Sequence, residues 1–477
     1  LFFPLLSITS RFLHLFPTGT SPDSIIVMKI SFVTSLVGSL TLFVFGSTLT
    51  SETVKAGNWN VGGSGSTFVQ PENYVVVPQT DPGGKAVKYG NSAFTTEMPE
   101  NARPNDATIS LYQNGRKVFF DRRKSQGNLY TITPKGNAES FESTPNPKSK
   151  ILEAQLTKGY ILSYLFYDKG TIKYDGLPKA GRLAEDLNDQ TLFFTHSTGK
   201  SIISYIIGHA ICEGHITSID ERIDWPLMSK TLYQGQPLRN LLNMSAGDKH
   251  TIDHKRSHYI MGKRKHHRDM DLVTIAKLLE GTKPKGDKLF YNNFLSDVLA
   301  SYVAFKAGDE YDRLLQTVFQ DKIKIENEVH FELHKQSSSG SSYRGQIQTR
   351  ASYSFLITRK DLLRVAVAMM KDYQQQTCVG KYLKASQAQA RKWPKYSPSK
   401  KNAKFKLNRY ARKYGAQFYF DFLKMDGRNI LGTEGWSNQN MLIDMDNSRI
   451  VVTQSAAPAW DQRIFMLNVI SDGKLPN

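Results

Sequence analysis

The sequence predicts an α+β fold: an antiparallel sheet flanked by helices, with a mostly helical part inserted. Three observations carry this. Strand-like runs gather early, apolar periodicity of three and four residues fills the centre, and strands return late ahead of a last helix. The early strands are Thr108–Tyr112 and Lys117–Asp121, parted by Gln113-Asn114-Gly115, where Asn-Gly marks a hairpin turn. Tyr160–Asp168 and Thr171–Tyr174, split by Lys169-Gly170, form a second hairpin. After Phe193-Phe194, the residues Ile202, Ile203, Ile206, Ile207, Ala210 and Ile211 recur as one largely buried helix, with Gly214 as its stop. Further helices are expected at Leu295–Lys306 and Arg359–Asp372. The late strands are Gly415–Leu423, Asn440–Asp444 and Arg449–Gln454, and a helix near Gln462–Ile470 ends the pattern.

Ahead of this domain, assigned to residues 107–477, stand two other segments. Met28-Lys29 opens a short basic region, and Ile30 to Gly46 is uncharged and rich in Val, Leu and Phe. That is the layout of a secretory signal peptide, with cleavage expected between Gly46 and Ala56. The alternative is a single membrane anchor, because the run approaches the ~20 residues a span needs. Residues 1–27 read as upstream translated sequence, so 1–56 is set apart from the fold. No cysteine stands in the signal region to carry a bacterial lipid anchor. Residues 57–106 are rich in Gly, Pro, Asn, Ser and Thr and read as an extended lead-in. The expected location is periplasmic or secreted, with membrane contact only through an uncleaved signal segment.

Composition narrows the class. Charged residues are an ordinary 22% and hydrophobic ones 40%, which excludes a mostly disordered chain. The 62 Lys+Arg against 43 Asp+Glu give a formal charge of +19, which concerns partners rather than fold. There are two cysteines, Cys212 and Cys378. They could pair in an exported chain, but Cys212 lies inside an apolar helical run, so the reading favours buried free thiols. Neither a paired CxxC nor an HExxH is present, so no metal and no cofactor is expected.

The chemistry centres on Ser197-Thr198-Gly199-Lys200. A serine hydroxyl is a weak nucleophile until a base takes its proton. Ser and Lys at i and i+3 share one helix face, and burial lowers a lysine's pKa enough for the amine to accept that proton. Ser-x-x-Lys also occurs at Ser397/Lys400 and Ser471/Lys474, but neither opens an apolar helix. Three further segments follow: Leu238 to Gly247 with Leu241-Leu242-Asn243-Met244-Ser245-Ala246-Gly247, then Tyr291-Asn292-Asn293, then Gly432-Thr433-Glu434-Gly435-Trp436. Tyr-x-Asn alone is weak, since it recurs at Tyr89 and Tyr112.

In this order the motifs resemble the serine β-lactamase and penicillin-binding-protein family, in its class C β-lactamase-like branch of esterases and nylon-oligomer hydrolases. The resemblance runs from about Lys158 to Val469 and takes in the Glu213-Gly214-His215-Ile216 turn, Gly308-Asp309-Glu310-Tyr311 and Thr358-Arg359-Lys360-Asp361-Leu362. It implies Ser197 as the acylated nucleophile, Lys200 as its base or pKa partner, and Tyr291 as the proton shuttle to the leaving group. It also implies Asn293 as a substrate-amide ligand, and an oxyanion hole from the backbone N–H groups of Ser197 and Trp436, on an edge strand that carries Thr433 and Gly435.

The third motif departs from the family. Penicillin-recognising members have Lys-Thr-Gly and many esterase-like ones His-x-Gly, where this chain has Thr433-Glu434-Gly435. Strand alternation turns Thr433 to the site and Glu434 away. With no cation there, the expected substrate is a small neutral ester or amide. A β-lactamase or penicillin-binding enzyme, and a non-catalytic binding protein on the same scaffold, are the alternatives. Two basic segments remain. His250–Arg268, with His254, His258, His266 and His267, reads as a solvated insertion or a cationic rim. Arg391–Lys413, with Trp393, Tyr396 and Tyr410, reads as a solvated connecting loop, and no nucleic-acid partner is expected.

Overall fold

The computed structural model describes residues 120, 121, 123–125, 127–178, 187–251, 272–333 and 355–477. The signal-like segment, the lead-in and the hairpin strand at Thr108–Tyr112 lie outside these residues, as does the basic insertion from residue 252 onward. Phe120 and Asp121 are helical, so the run expected as a strand at Lys117–Asp121 does not end as one.

The larger sheet has nine strands. In chain order they are β2 (Glu142–Ser143), β3 (Ile161–Asp168), β4 (Thr171–Gly176), β8 (Arg391–Lys392), β9 (Ala411–Gly415), β10 (Phe418–Phe422), β11 (Ile430–Gly435), β12 (Gln439–Asp444) and β13 (Arg449–Ser455). Their spatial order is β2-β4-β3-β13-β12-β11-β10-β9-β8, antiparallel except for the β2–β4 edge pair. A smaller antiparallel sheet joins β1 (Leu129–Ile132), β6 (Val329–Glu332), β7 (Phe355–Ile357) and β5 (Phe193–Phe194), in the order β1-β6-β7-β5. The principal helices are α1 (Lys150–Lys158), α2 (Thr198–Cys212), α3 (Phe294–Ala307), α4 (Arg359–Gln375) and α5 (Cys378–Ala388). Among the described residues, the chain between α2 and β6 holds helices and none of the sheet strands, in keeping with a mostly helical inserted part.

The β3–β4 hairpin turns at Lys169 (φ 50°) and Gly170 (φ 93°), the paired left-handed residues that match the twist of the flanking strands. The single strand expected at Gly415–Leu423 is instead two, β9 and β10, which reverse at Ala416 (φ 43°) and Gln417 (φ 64°). Neither residue favours that backbone, so the turn leaves no mark in the sequence. Asn243 Oδ1 accepts the Ala416 N–H at 2.8 Å, which helps to hold it.

Helix α2 is apolar on every side because it lies between layers, with the large sheet on one flank and α3 and α5 on others. It ends in a Schellman arrangement: Gly214 N–H donates to Ile211 O at 3.1 Å and His215 N–H to Ala210 O at 2.9 Å. Thr358 caps α4, and the Asp361 carboxylate accepts from the Thr358 hydroxyl at 2.8 Å and the Glu326 N–H at 2.7 Å. The Thr-x-x-Asp segment is thus a helix start tied to its neighbouring loop.

The cysteines are not free thiols. Cys212, the last residue of α2, is bonded to Cys378, the first of α5, with a Cα–Cα distance of 5.8 Å. Periodicity placed Cys212 in an apolar run, but the helix ends there and its last residue is only partly buried. The bridge spans 166 residues and ties α2 to α5. Long closed loops restrict the unfolded chain most, and a native disulfide of this kind contributes about 2–5 kcal/mol. Replacing both cysteines by alanine is therefore expected to lower the unfolding free energy by that amount, measured by denaturant titration against the oxidised protein.

Candidate active site

Ser197 stands at the first position before α2, delivered by β5 through Thr195 and His196. Strand β5 is held by β7, and the Thr195 N–H donates to Phe355 O at 2.9 Å. His196 takes a left-handed backbone (φ 48°) that turns the chain from strand into helix. One turn on, Lys200 Nζ donates to Ser197 Oγ at 2.8 Å. Lys200 is 1% exposed, and burial brings its amine down to about 7, against an opposing pull from Asp297 on α3. An amine so poised is part neutral at physiological pH and able to take a proton.

Tyr291 meets the same hydroxyl. Its phenol hydrogen-bonds with Ser197 and with Tyr419, and its ring centre is 5.3 Å from Lys200 Nζ. Its apolar surroundings push the phenol up, and the charge of Glu434 adds to this. Trp393 and Tyr414 pack edge-on against the ring at 5.8 and 5.7 Å. The loop is set from behind by Asn292, fully buried, which donates to Asp248 Oδ2 at 3.1 Å and accepts the Leu295 N–H at 3.0 Å. The Phe290 N–H donates to Met244 O at 2.7 Å, so the Leu238–Gly247 segment buttresses the tyrosine. Asn293, partly exposed, occupies the position before α3 without capping it.

The third motif lies on β11, which is interior rather than an edge strand: β10, β9 and β8 continue the sheet beyond it. These added strands come from the chain between α5 and β11. Thr433 is fully buried, and its hydroxyl oxygen accepts from the Thr198 hydroxyl and the Met441 N–H, each at 3.0 Å. This ties β11 to the residue next to Ser197. Gly435 closes the approach, since a Cβ there would lie 2.1 Å from Thr195 O. Trp436 follows in the β11–β12 turn, 40% exposed. Gly435→Ala is expected to push β11 off the Ser197 loop and lower kcat on the order of 10²-fold, the scale of a 1 Å misplacement, checked by steady-state kinetics with circular dichroism for folding.

Alternation puts Glu434 on the opposite side of the strand from Thr433, yet its charge still acts on Tyr291, so it is not remote from the site. Its carboxylate accepts the Asn408 N–H at 2.5 Å and the Asn408 side-chain amide at 3.2 Å. Burial lifts it to about 7, against the Asn408 bond and the charges of Lys406, Lys395 and Arg409.

No family model matches the chain, and no curated protein matches it. Solved structures similar to it are hydrolases and penicillin-binding-protein homologues. A candidate 6-aminohexanoate-dimer hydrolase from Bacillus anthracis aligns at 13% identity and a TM-score of 0.49, over 80% of this chain and 100% of that one. A D-stereospecific amidohydrolase from Streptomyces sp. aligns at 14% identity and 0.47, over 69% and 100%. The octameric penicillin-binding protein homologue from Pyrococcus abyssi aligns at 15% and 0.45, over 66% and 74%.

Sequence reasoning gave no role to Asp297, Asn292 or Lys395, and it set Glu434 aside as pointing away, although the Glu434 charge acts on Tyr291. Lys395 Nζ is 5.6 Å from the ring centres of both Tyr291 and Trp393. It belongs to the Arg391–Lys413 segment, whose lysines are largely exposed as expected but which is anchored by buried Trp393, Leu407 and Tyr410 and bounded by strands β8 and β9. Trp393 is buried, stacked near Tyr414 and Tyr419 at 5.1 and 5.2 Å, and β8 extends the sheet. A tryptophan and two tyrosines among the basic residues were the available signal. Among the described residues, no group of three or more His, Cys, Asp or Glu is placed to hold a metal ion, and no helix is long and apolar enough to cross a membrane.

Proposed function

We propose that this chain is an exported serine hydrolase that cleaves an ester or amide bond of a small molecule through an acyl-enzyme on Ser197. The observation that carries the reading is the 2.8 Å contact from Lys200 to Ser197 Oγ, with the amine brought to about 7 by burial. Lys200 takes the Ser197 proton as Oγ bonds to the carbonyl carbon. The backbone N–H groups of Ser197 and Trp436 receive the negative oxygen. As the carbonyl re-forms, the bond to the leaving group breaks, Tyr291 gives that group its proton, and Lys200 returns one to Tyr291. Water then hydrolyses the acyl-enzyme by the reverse proton path. Asn293 is assigned to the substrate amide and Thr433 and Gly435 to the strand that lies along it.

Lys200 rather than Tyr291 is the base for acylation because its pKa matches neutral pH, whereas burial holds the phenol protonated there. Export is supported by the signal-like segment at Met28 to Gly46 and by the disulfide, since such bonds persist in oxidising compartments. The test is labelling with a fluorophosphonate followed by peptide mapping. One labelled residue, Ser197, is expected, with labelling lost in Ser197→Ala; labelling that survives this change defeats the assignment.

A further inference from the structure

A cation able to meet a charged substrate lies away from the third motif, at Lys395. The Lys395 ammonium lies against the ring of Tyr291, the group assigned to protonate the leaving atom, so any charge it meets is on the leaving-group side. The position is braced: Arg409 donates to Lys395 O at 3.1 Å and to Ser397 Oγ at 3.1 Å. Arg409 and Lys406 both act electrostatically on Lys395 and on Glu434, and Glu434 acts on Tyr291, so the four charged groups and the phenol form one neighbourhood.

The same Lys406 and Arg409 line a cavity of about 650 Å³, together with Lys400, Lys401, Pro458 and Ala459. Four cations around one concavity, joined to Lys395 by the bond from Arg409 to Lys395 O, focus a positive potential there, which raises the local concentration of anions. Partial desolvation, Arg409 and Lys406 work against a charged Lys395 while Glu434 favours it, and the residue is exposed, so an incoming anion can reach it and add to the support of the charge.

We infer that Lys395 and the adjoining basic cavity form an anion subsite, so that the substrate is an acidic ester or amide with a phosphate or carboxylate on its leaving-group side. This rests on the hydrolase reading above and departs from the neutral substrate that Thr433 suggested. The cation absent from β11 is supplied from the chain between α5 and β9.

The test uses three esters with one short acyl group, on a neutral alcohol, a carboxylate-bearing alcohol and a phosphate-bearing alcohol. At low salt the acidic esters should exceed the neutral one in kcat/KM by at least about tenfold, the scale of one charge-assisted hydrogen bond. That ratio should fall towards one at about 1 M salt, where screening is nearly complete. Lys395→Gln should abolish the ratio and Lys395→Arg should keep it. Comparing the carboxylate and phosphate arms tells which anion the subsite takes. A ratio near one in the unaltered protein, or one unchanged by Lys395→Gln, overturns the proposal. Calorimetric binding of the same esters to Ser197→Ala separates the two readings. Tighter binding of an acidic ester that is lost with Lys395→Gln upholds the subsite even where no ester is hydrolysed, a result that would defeat only the hydrolase assignment. Equal binding of all three overturns the subsite whatever the turnover.

Discussion

Lys200→Met is expected to lower kcat/KM by about 10²- to 10⁴-fold, the usual contribution of a positioned acid–base group, while the protein stays folded. Methionine matches the buried aliphatic stem and removes only the amine that meets Ser197 Oγ. Circular dichroism and thermal melting check the fold. The pH profile gives a sharper reading. The neutral amine is the active form, and burial has brought Lys200 down to about 7, so kcat/KM should rise with pH through about 7 and level off above it. This limb should vanish from the residual rate of Lys200→Met. Glu434 is also lifted to about 7, so Glu434→Gln is the control. If Lys200 is the base, the rising limb persists in Glu434→Gln. If it disappears there and persists in Lys200→Met, the base has been misassigned.

Tyr291→Phe is expected to cost a similar 10²- to 10⁴-fold, but with a different dependence on substrate. The ring, packed against Trp393 and Tyr414, stays in place and only the hydroxyl is lost. A group that hands a proton to the leaving atom matters most where that atom is strongly basic. The loss should therefore be large for alkyl esters and amides and much smaller for p-nitrophenyl esters, whose leaving group departs without a proton. Lys200→Met should impair both classes alike, because it acts at the attack on the carbonyl. A Tyr291→Phe loss equal for both leaving groups would count against the proton-shuttle role and leave the tyrosine as packing.

Both expectations depend on elements that differ in how far they could be read ahead. Helix α2 was legible because apolar residues at three- and four-residue spacing must bury, and a helix that buries every side cannot belong to the surface. The same spacing put Ser197 and Lys200 on one face at its start. Strands β3, β12 and β13 were legible as β-rich runs between turn residues. The β9–β10 reversal was not, because Ala416 and Gln417 take a left-handed backbone that their side chains do not advertise, held by Asn243 from a distant segment.

What the sequence determined by itself is therefore local: the periodicity of the helices and strands, the i and i+3 placement of nucleophile and amine, and the order of four motifs. Contacts between segments far apart in the chain were settled only by the tertiary structure. Cys212 and Cys378 meet because α2 ends where α5 begins in space, 166 residues later in the chain. Glu434 acts on Tyr291, 143 residues away in the chain, because the fold brings β11 and the tyrosine loop together. Lys395 reaches the tyrosine because Trp393, two residues before it, is buried near Tyr414 and Tyr419, which anchors an otherwise exposed basic stretch beside the ring. Backbone dihedrals and hydrophobic period act over a few residues and can be read in one dimension. Electrostatics and packing act over ångströms, between whichever side chains the fold brings together.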